Sequence, residues 1–209
     1  MTTTIGITGG IGSGKSLVVS LLKTYNMPSF VADEESKRLT ATLPEIRERL
    51  TALLGEEIYE ANGLNRRRMA SLIFHDPSLL TQVHAIIHPE VARHFQQWVL
   101  LQSAPCAVLE SAILFESGFD RYVDWRVTVY APRALRLQRV MARDGLTETD
   151  VLRRMKHQWT DEVKKTKSDY VVFNDGKQAL IPQIEKLVKS LSEKQTGVPD
   201  IFLDRNVSD

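Results

Sequence analysis

The sequence predicts an α/β fold in which a five-stranded parallel sheet carries helices on its faces. Three observations predict it. Five short segments, at residues 4–8, 29–32, 106–109, 126–130 and 170–173, are dominated by apolar and β-branched residues, as strands buried on both faces of a parallel sheet must be. Segments with helical periodicity lie between them, the alternation expected of parallel strands joined by crossover helices. The first strand also runs directly into a glycine-rich stretch, Gly9-Gly10-Ile11-Gly12-Ser13-Gly14.

Taken in order, Thr4-Ile5-Gly6-Ile7-Thr8 is the first buried strand. From Gly14 the pattern turns helical, with Val18, Leu21 and Leu22 at helix spacing. Residues 29–32 form a short second strand, and a polar helix starts near Asp33. Residues 44–103 contain no β-branched run and read as a helical insertion. Pro44 opens a helix that ends near Gly55, residues 64–75 form another, and further helices follow Pro77 and Pro89, since proline is tolerated in a first helical turn. Pro89 is expected to break the helix beside His88. After the strands at 106–109 and 126–130 come helices at 133–143 and 147–159, the second opened by the capping box Thr147-Glu148-Thr149-Asp150. The last strand, 170–173, leads through Asn174-Asp175-Gly176 into an amphipathic helix reaching about Ser192. Residues 1–194 thus read as one domain, with an insertion at about 44–103, lid helices at about 133–160, and a flexible tail at 195–209.

Bulk properties narrow the class. A chain of 209 residues holds one α/β core and falls short of two full domains. With one cysteine, Cys106, neither an intrachain disulfide framework nor a Cys-rich zinc site is available, and a reducing compartment is the natural setting. No apolar run approaches the roughly 18 residues that a membrane span needs. The opening Met1-Thr2-Thr3-Thr4-Ile5 has no signal-peptide pattern. A cytoplasmic location without a membrane partner is expected. The net charge of +1 points neither toward nor away from nucleic acid, and Arg66-Arg67-Arg68 reads as a surface triplet, so no nucleic-acid partner is expected. His84 and His88 stand one helical turn apart but lack a third ligand for a metal. Monomer and small homo-oligomer both stay open.

Function begins with the glycines. Gly9-Gly10-Ile11-Gly12-Ser13-Gly14-Lys15-Ser16 matches G-x-x-x-x-G-K-[ST] in full, between a strand and a helix as that motif requires. Glycines admit backbone angles closed to other residues, so successive N–H groups can face one anion. The helix start adds unpaired donors and the positive end of its dipole. Lys15 is placed to reach the β- and γ-phosphates of a nucleotide and the Ser16 hydroxyl to sit on Mg²⁺. The candidate ATP-binding residues here are Gly12, Ser13, Gly14, Lys15, Ser16 and Leu17, and the fold is that of a P-loop nucleoside triphosphate hydrolase.

Arg136, Arg139 and Arg143 recur at spacings of three and four on one helix. They form either a clamp for transferring phosphate or a solvated basic face. Gly145 and the capped helix after it suit a lid that excludes water from a kinase site. Asp33, at a strand end beside the phosphate loop, is either a base or metal holder for an acceptor hydroxyl or a helix N-cap. A guanine-selecting Asn-Lys-x-Asp pattern is absent from the sequence, which argues against a GTPase-like switch. The residues point to a kinase that uses Mg·ATP to phosphorylate a hydroxyl on a small anionic metabolite.

Over nearly its whole length the chain resembles dephospho-CoA kinases. The resemblance is carried by Gly6 to Ser16, Ala32-Asp33, Leu64-Asn65-Arg66, Ile73-Phe74, His88-Pro89, Ile113-Leu114-Phe115-Glu116, Gln138-Arg139 through Arg143-Asp144-Gly145, Gln158, and Ser168-Asp169-Tyr170-Val171-Val172-Phe173-Asn174. It implies phosphorylation of the ribose 3′-hydroxyl of dephospho-CoA with ATP and Mg²⁺ as cofactors. Asp33, Lys15 and Arg139 become the catalytic residues, Arg139 and Arg143 lid arginines on ATP, and Asn174 a neighbour of adenine. Arg66, His88 and Phe115 fall on the acceptor side with Asp33. The chain departs from the family pattern at Val31 and Glu110, where aspartates are usual, and at Ala112, where proline is usual and its absence loosens the loop. A nucleoside or nucleoside-monophosphate kinase is the enzyme alternative, and a nucleotide-gated binding protein the alternative of another class.

Overall fold

The structure is a computed structural model and describes residues 2–60, 63–74 and 76–196, with side chains to residue 193. Along the chain, β1 (Thr3–Thr8) leads into α1 (Lys15–Thr24), β2 (Ser29–Val31), α2 (Ala32–Thr42) and α3 (Pro44–Leu54). A 3₁₀ turn precedes the short strands β3 (Tyr59–Glu60) and β4 (Gly63–Leu64), followed by α4 (Arg66–Ile73) and α5 (Pro77–Leu100). The rest is β5 (Cys106–Glu110), β6 (Trp125–Tyr130), α6 (Arg133–Asp144), α7 (Glu148–Met155), α8 (Asp161–Thr166), β7 (Tyr170–Phe173) and α9 (Leu180–Thr196). These form two compact units, Met1–Ser29 with Ser103–Asp209, and Phe30–Gln102.

The sheet has the order β2-β5-β1-β6-β7. β1 pairs in parallel with β5, Ile5 opposite Val108, and with β6, Ile7 opposite Val127; β7 pairs in parallel with β6, Val172 opposite Val129. Ile5, Ile7, Val108, Val127, Val129 and Val172 are wholly buried. They pack with Val18 and Leu22 of α1 and with Ile184 and Leu187 of α9, which is why these segments carry apolar residues without alternation. Between Ile5 and Ile7, Gly6 faces the other side, where a Cβ would meet Leu114 at 2.8 Å and Val123 at 3.0 Å. The missing side chain lets the loop after β5 seat Leu114 on the strand. β1 thus ends in mid-sheet between β5 and β6, and ligands of open α/β sheets bind in the crevice beyond the carboxyl ends of the strands.

The second unit is mainly helical. α2, α3 and α5 pack together, and α4 lies on α5, around Leu39, Ile46, Leu50, Ile58, Val83, Ile87, Val91 and Phe95. This unit starts at Phe30 and not near residue 44, because α2 packs on α5 and Phe30 stacks edge-on to Phe95 at 5.4 Å.

Several expected element bounds change. α5 is one helix that runs through Pro89. Residues buried on both sides of the proline (Ile86, Ile87, Val91, Ala92) hold it in the packed core, and tertiary burial outweighs the lost hydrogen bond. The helix expected over residues 64–75 is shorter, because Gly63–Leu64 pairs antiparallel with Tyr59–Glu60 and Asn65 caps α4 by accepting from Arg68 N at 2.9 Å. The helix expected over 147–159 ends at Met155. A separate α8 then starts with Thr160 as its cap, accepting from Val163 N at 3.4 Å. α9 continues to Thr196, past the expected end near Ser192, and the rest of the tail read over 195–209 lies outside the described residues. Among the described residues, no helix is long and apolar enough to cross a membrane.

Candidate active site

The phosphate loop joins β1 to α1. Gly12 (φ 81°) and Gly14 (φ 94°) occupy the left-handed region, which costs an L-residue with a side chain about 1–2 kcal/mol. Both are also tightly covered: a Cβ on Gly12 would meet Arg136 O at 2.6 Å, and one on Gly14 would collide with Asn174 Nδ2. Ser13 N donates to Gly10 O at 3.0 Å, and Lys15 Nζ donates to Gly9 O at 3.0 Å across the loop. Gly14 is the N-cap of α1, so Lys15, Ser16 and Leu17 form its first turn, and Gly14 O accepts from Leu17 N at 3.1 Å and Val18 N at 3.2 Å as the helix begins. The structure thus gathers Gly12 to Leu17 at one helix start, as an anion cradle requires.

The loop is backed by side chains that come from far along the chain. Gln158 Oε1 accepts from Ile11 N at 2.9 Å, and Arg136 Nη1 donates to Ile11 O at 3.2 Å. Arg136 is buried, also donates to Ala131 O at 3.2 Å, and forms an ion pair with Asp161. Burial pulls the Arg136 guanidinium below its usual pKa, with Asp161 opposing that shift. The three arginines that share a helix spacing therefore have separate partners. Arg136 turns to the back of the loop. Arg139 Nη1 donates to Asn174 O at 3.0 Å, and exposed Arg143 pairs with Asp144 at 2.7 Å. Asn174 in turn donates from Nδ2 to Ser13 O at 2.8 Å, which links Arg139 to the phosphate loop through one residue.

Glu110 ends β5, opposite Ile7. Ser16 Oγ donates to Glu110 Oε1 at 3.0 Å, so a hydroxyl and a carboxylate converge beside the loop. Hard oxygen donors of this kind suit Mg²⁺. The extra methylene of Glu110 brings its carboxylate directly to the hydroxyl.

Beyond Glu110, the loop of residues 111–117 is firmly held despite having Ala112 in place of proline. Ser111 N donates to Ile7 O at 3.0 Å, and Lys164 Nζ donates to Ala112 O at 2.6 Å. Lys164 also pairs with Glu116 Oε1 at 2.8 Å, and Trp159 N donates to that same oxygen at 2.7 Å. Phe115 is buried with its ring parallel to Trp159, centroids 6.3 Å apart. The expected loosening at Ala112 is thus offset by a lysine that sequence reading passed over. Gln158 entered only as part of a resemblance, while Asp161 and Lys164 were not singled out. The run Asp161-Glu162-Val163-Lys164-Lys165 looks like a solvated helix face, and no local signal marks two of its members as buried.

Asp33, Arg66 and His88 belong to the second unit. Asp33 is exposed in the first turn of α2, whose N-cap is Val31 without a side-chain capping bond, so the capping explanation for this aspartate lapses. Arg66 is the exposed first residue of α4. His88 stacks on His84, ring centroids 4.5 Å apart, inside α5. Burial lowers the pKa of both rings, and for His88 burial together with the neighbouring His84 brings it to about 4.

A family model described as Dephospho-CoA kinase matches residues 3–179. The dephospho-CoA kinase of Bacteroides fragilis strain YCH46 is 44% identical over 191 residues, covering 91% of this chain and 93% of that protein. That of Porphyromonas gingivalis is 40% identical over 198 residues, covering 94% and 98%. The crystal structure of TT1252 from Thermus thermophilus is similar with a TM-score of 0.79 and 34% identity, over 94% of this chain and 99% of that one. Matched along most of its length in both sequence and fold, the chain belongs to the dephospho-CoA kinase family.

Proposed function

We propose that the chain transfers the γ-phosphoryl group of ATP to the ribose 3′-hydroxyl of dephospho-CoA, giving CoA and ADP in the last step of CoA biosynthesis. The observation that carries this reading is the complete phosphate loop, with the Ser16 hydroxyl on Glu110, in a chain of this family. The acceptor 3′-oxygen bonds to the γ-phosphorus as the bond to the β–γ bridging oxygen breaks. ADP leaves with that oxygen, and the hydroxyl proton passes to Asp33, the general base. The backbone of Gly12 to Leu17 cradles the β- and γ-phosphates, and Lys15 and Arg139 draw off the charge that spreads over the γ-oxygens. Arg143 assists from the lid, and Asn174 borders the adenine. Ser16 and Glu110 would hold Mg²⁺, which when bound neutralises phosphate charge. On the acceptor side Arg66 and His88 bind dephospho-CoA, and the loop 111–117 shapes the pocket with Phe115. The single cysteine, buried at Cys106, suits a cytoplasmic enzyme, and a monomer or small homo-oligomer suffices for the chemistry.

The test is incubation with Mg·ATP and dephospho-CoA, followed by mass spectrometry for CoA and ADP. Parallel samples carry AMP, CMP, uridine or no acceptor. CoA formed with matched ADP is expected. ADP without CoA would reject the acceptor, and phosphorylation of AMP, CMP or uridine in its place would favour a nucleoside or nucleoside-monophosphate kinase. Asp33→Asn should abolish turnover and leave ADP binding intact; turnover at the wild-type rate would remove Asp33 from its role.

A further inference from the structure

Lys164 is a charged side chain with no exposed surface. Taking an ammonium out of water costs several kcal/mol unless it is paired and hydrogen-bonded. A methionine or leucine would fill the same space on α8 at no such cost, so packing alone does not explain the charge. What the ammonium touches does. It holds Ala112 O at 2.6 Å and Glu116 Oε1 at 2.8 Å, the two flanks of Ile113-Leu114-Phe115. Glu116 Oε1 takes a second donor from Trp159 N, and Oε2 is buried with no partner. All the anchoring of that carboxylate therefore falls on the oxygen facing the segment 158–164. The same short segment reaches the phosphate loop at its other end. Gln158 accepts from Ile11 N, and Asp161 pairs with the Arg136 that donates to Ile11 O.

We infer that Lys164, acting through Ala112 and Glu116, is a positioning residue for the acceptor-side loop, and that residues 158–164 clasp this loop and the phosphate loop together. Given the reading above, in which the loop 111–117 serves dephospho-CoA, removing the ammonium releases the acceptor side selectively, because Gln158 and Arg136 still hold the phosphate loop. A residue that merely supports the fold would affect both sides together.

The experiment compares wild type with Lys164→Met and Glu116→Gln by two measurements. Steady-state kinetics and ADP titration give the first. Lys164→Met should raise the KM for dephospho-CoA at least tenfold with the ADP dissociation constant within twofold of wild type, and Glu116→Gln should raise that KM about threefold. Hydrogen exchange, which needs no acceptor, gives the second. In Lys164→Met, amides of 111–117 should exchange at least tenfold faster while those of 9–17 keep their wild-type rates. Parallel changes at both loops, or none at either, overturn the inference. If Lys164→Met does not fold, Glu116→Gln decides: faster exchange confined to 111–117 sustains the inference and wild-type exchange there rejects it. A wild-type protein that makes no CoA would reject the proposed acceptor, and the exchange data would still judge the clasp.

Discussion

Replacing Gly14 by alanine tests how the phosphate loop is held. Gly14 has φ 94° and ψ 27° at the N-cap of α1, where a side chain costs about 1–2 kcal/mol in backbone strain. The new methyl would also land on Asn174 Nδ2. Asn174 must then swing away, giving up its 2.8 Å bond to Ser13 O, worth about 1 kcal/mol. In the wild-type background Gly14→Ala should therefore cost about 2–3 kcal/mol. In an Asn174→Ala background only the strain remains, so the cost falls to about 1–2 kcal/mol and the coupling energy is about 1 kcal/mol. Urea denaturation of the four proteins measures this cycle. Calorimetric titration with ADP should show about a tenfold weaker complex for Gly14→Ala, since the displaced donors belong to the nucleotide cradle. If Gly14→Ala cost the same in both backgrounds, Asn174 would not be the residue that closes over Gly14, and the link from Arg139 to the loop through Asn174 would fall with it.

Other perturbations have equally specific outcomes. Arg136→Met should destabilise by about 3–5 kcal/mol in urea, because it leaves the buried Asp161 carboxylate unpaired; a change below about 1 kcal/mol would show that the pair carries no such weight. Glu110→Gln should raise the Mg²⁺ concentration for half-maximal ADP formation several-fold and leave ATP binding in EDTA unchanged, as expected if the carboxylate holds the cation beside Ser16. His88 titrates near 4 in the folded chain against about 6.5 unfolded. Between those values the unfolded state binds the extra proton, so stability falls as the pH is lowered. Going from pH 7 to pH 5 this residue should account for about 2 kcal/mol of that loss, and His88→Gln should remove that share from paired urea titrations; an unchanged pH slope would contradict it.

Which features were legible in the sequence follows from how far apart the interacting residues are. The sheet was, because strands buried on both faces leave an unbroken apolar signature. The phosphate loop was too, because its function depends on the backbone freedom of a few adjacent glycines. The β3–β4 pairing was missed, since two-residue strands leave almost no periodicity. The break between α7 and α8 was missed for another reason. Thr160 three residues before Val163 is a capping signal, but the apolar pattern before it continued through Trp159. Gln158 is 147 residues from Ile11, and Lys164 is 52 from Ala112. No window along the chain contains both partners of either bond, so their roles emerge only when the fold closes.

The departure at Ala112 shows how such long-range contacts change what a local difference means. A proline there would stiffen the loop by fixing one backbone angle, a restraint confined to its own position. Here the same carbonyl is held by an ammonium from α8, and α8 packs on β6. Stiffness supplied by the ring would be independent of anything outside the loop. Stiffness supplied by Lys164 makes the loop depend on where α8 sits, and α8 follows directly on Gln158 and Thr160. The loop after β5 is therefore ordered by the segment that also braces Ile11, and a shift of that segment would reach both loops at once. The restraint on this loop comes from outside it and ties two parts of the site together.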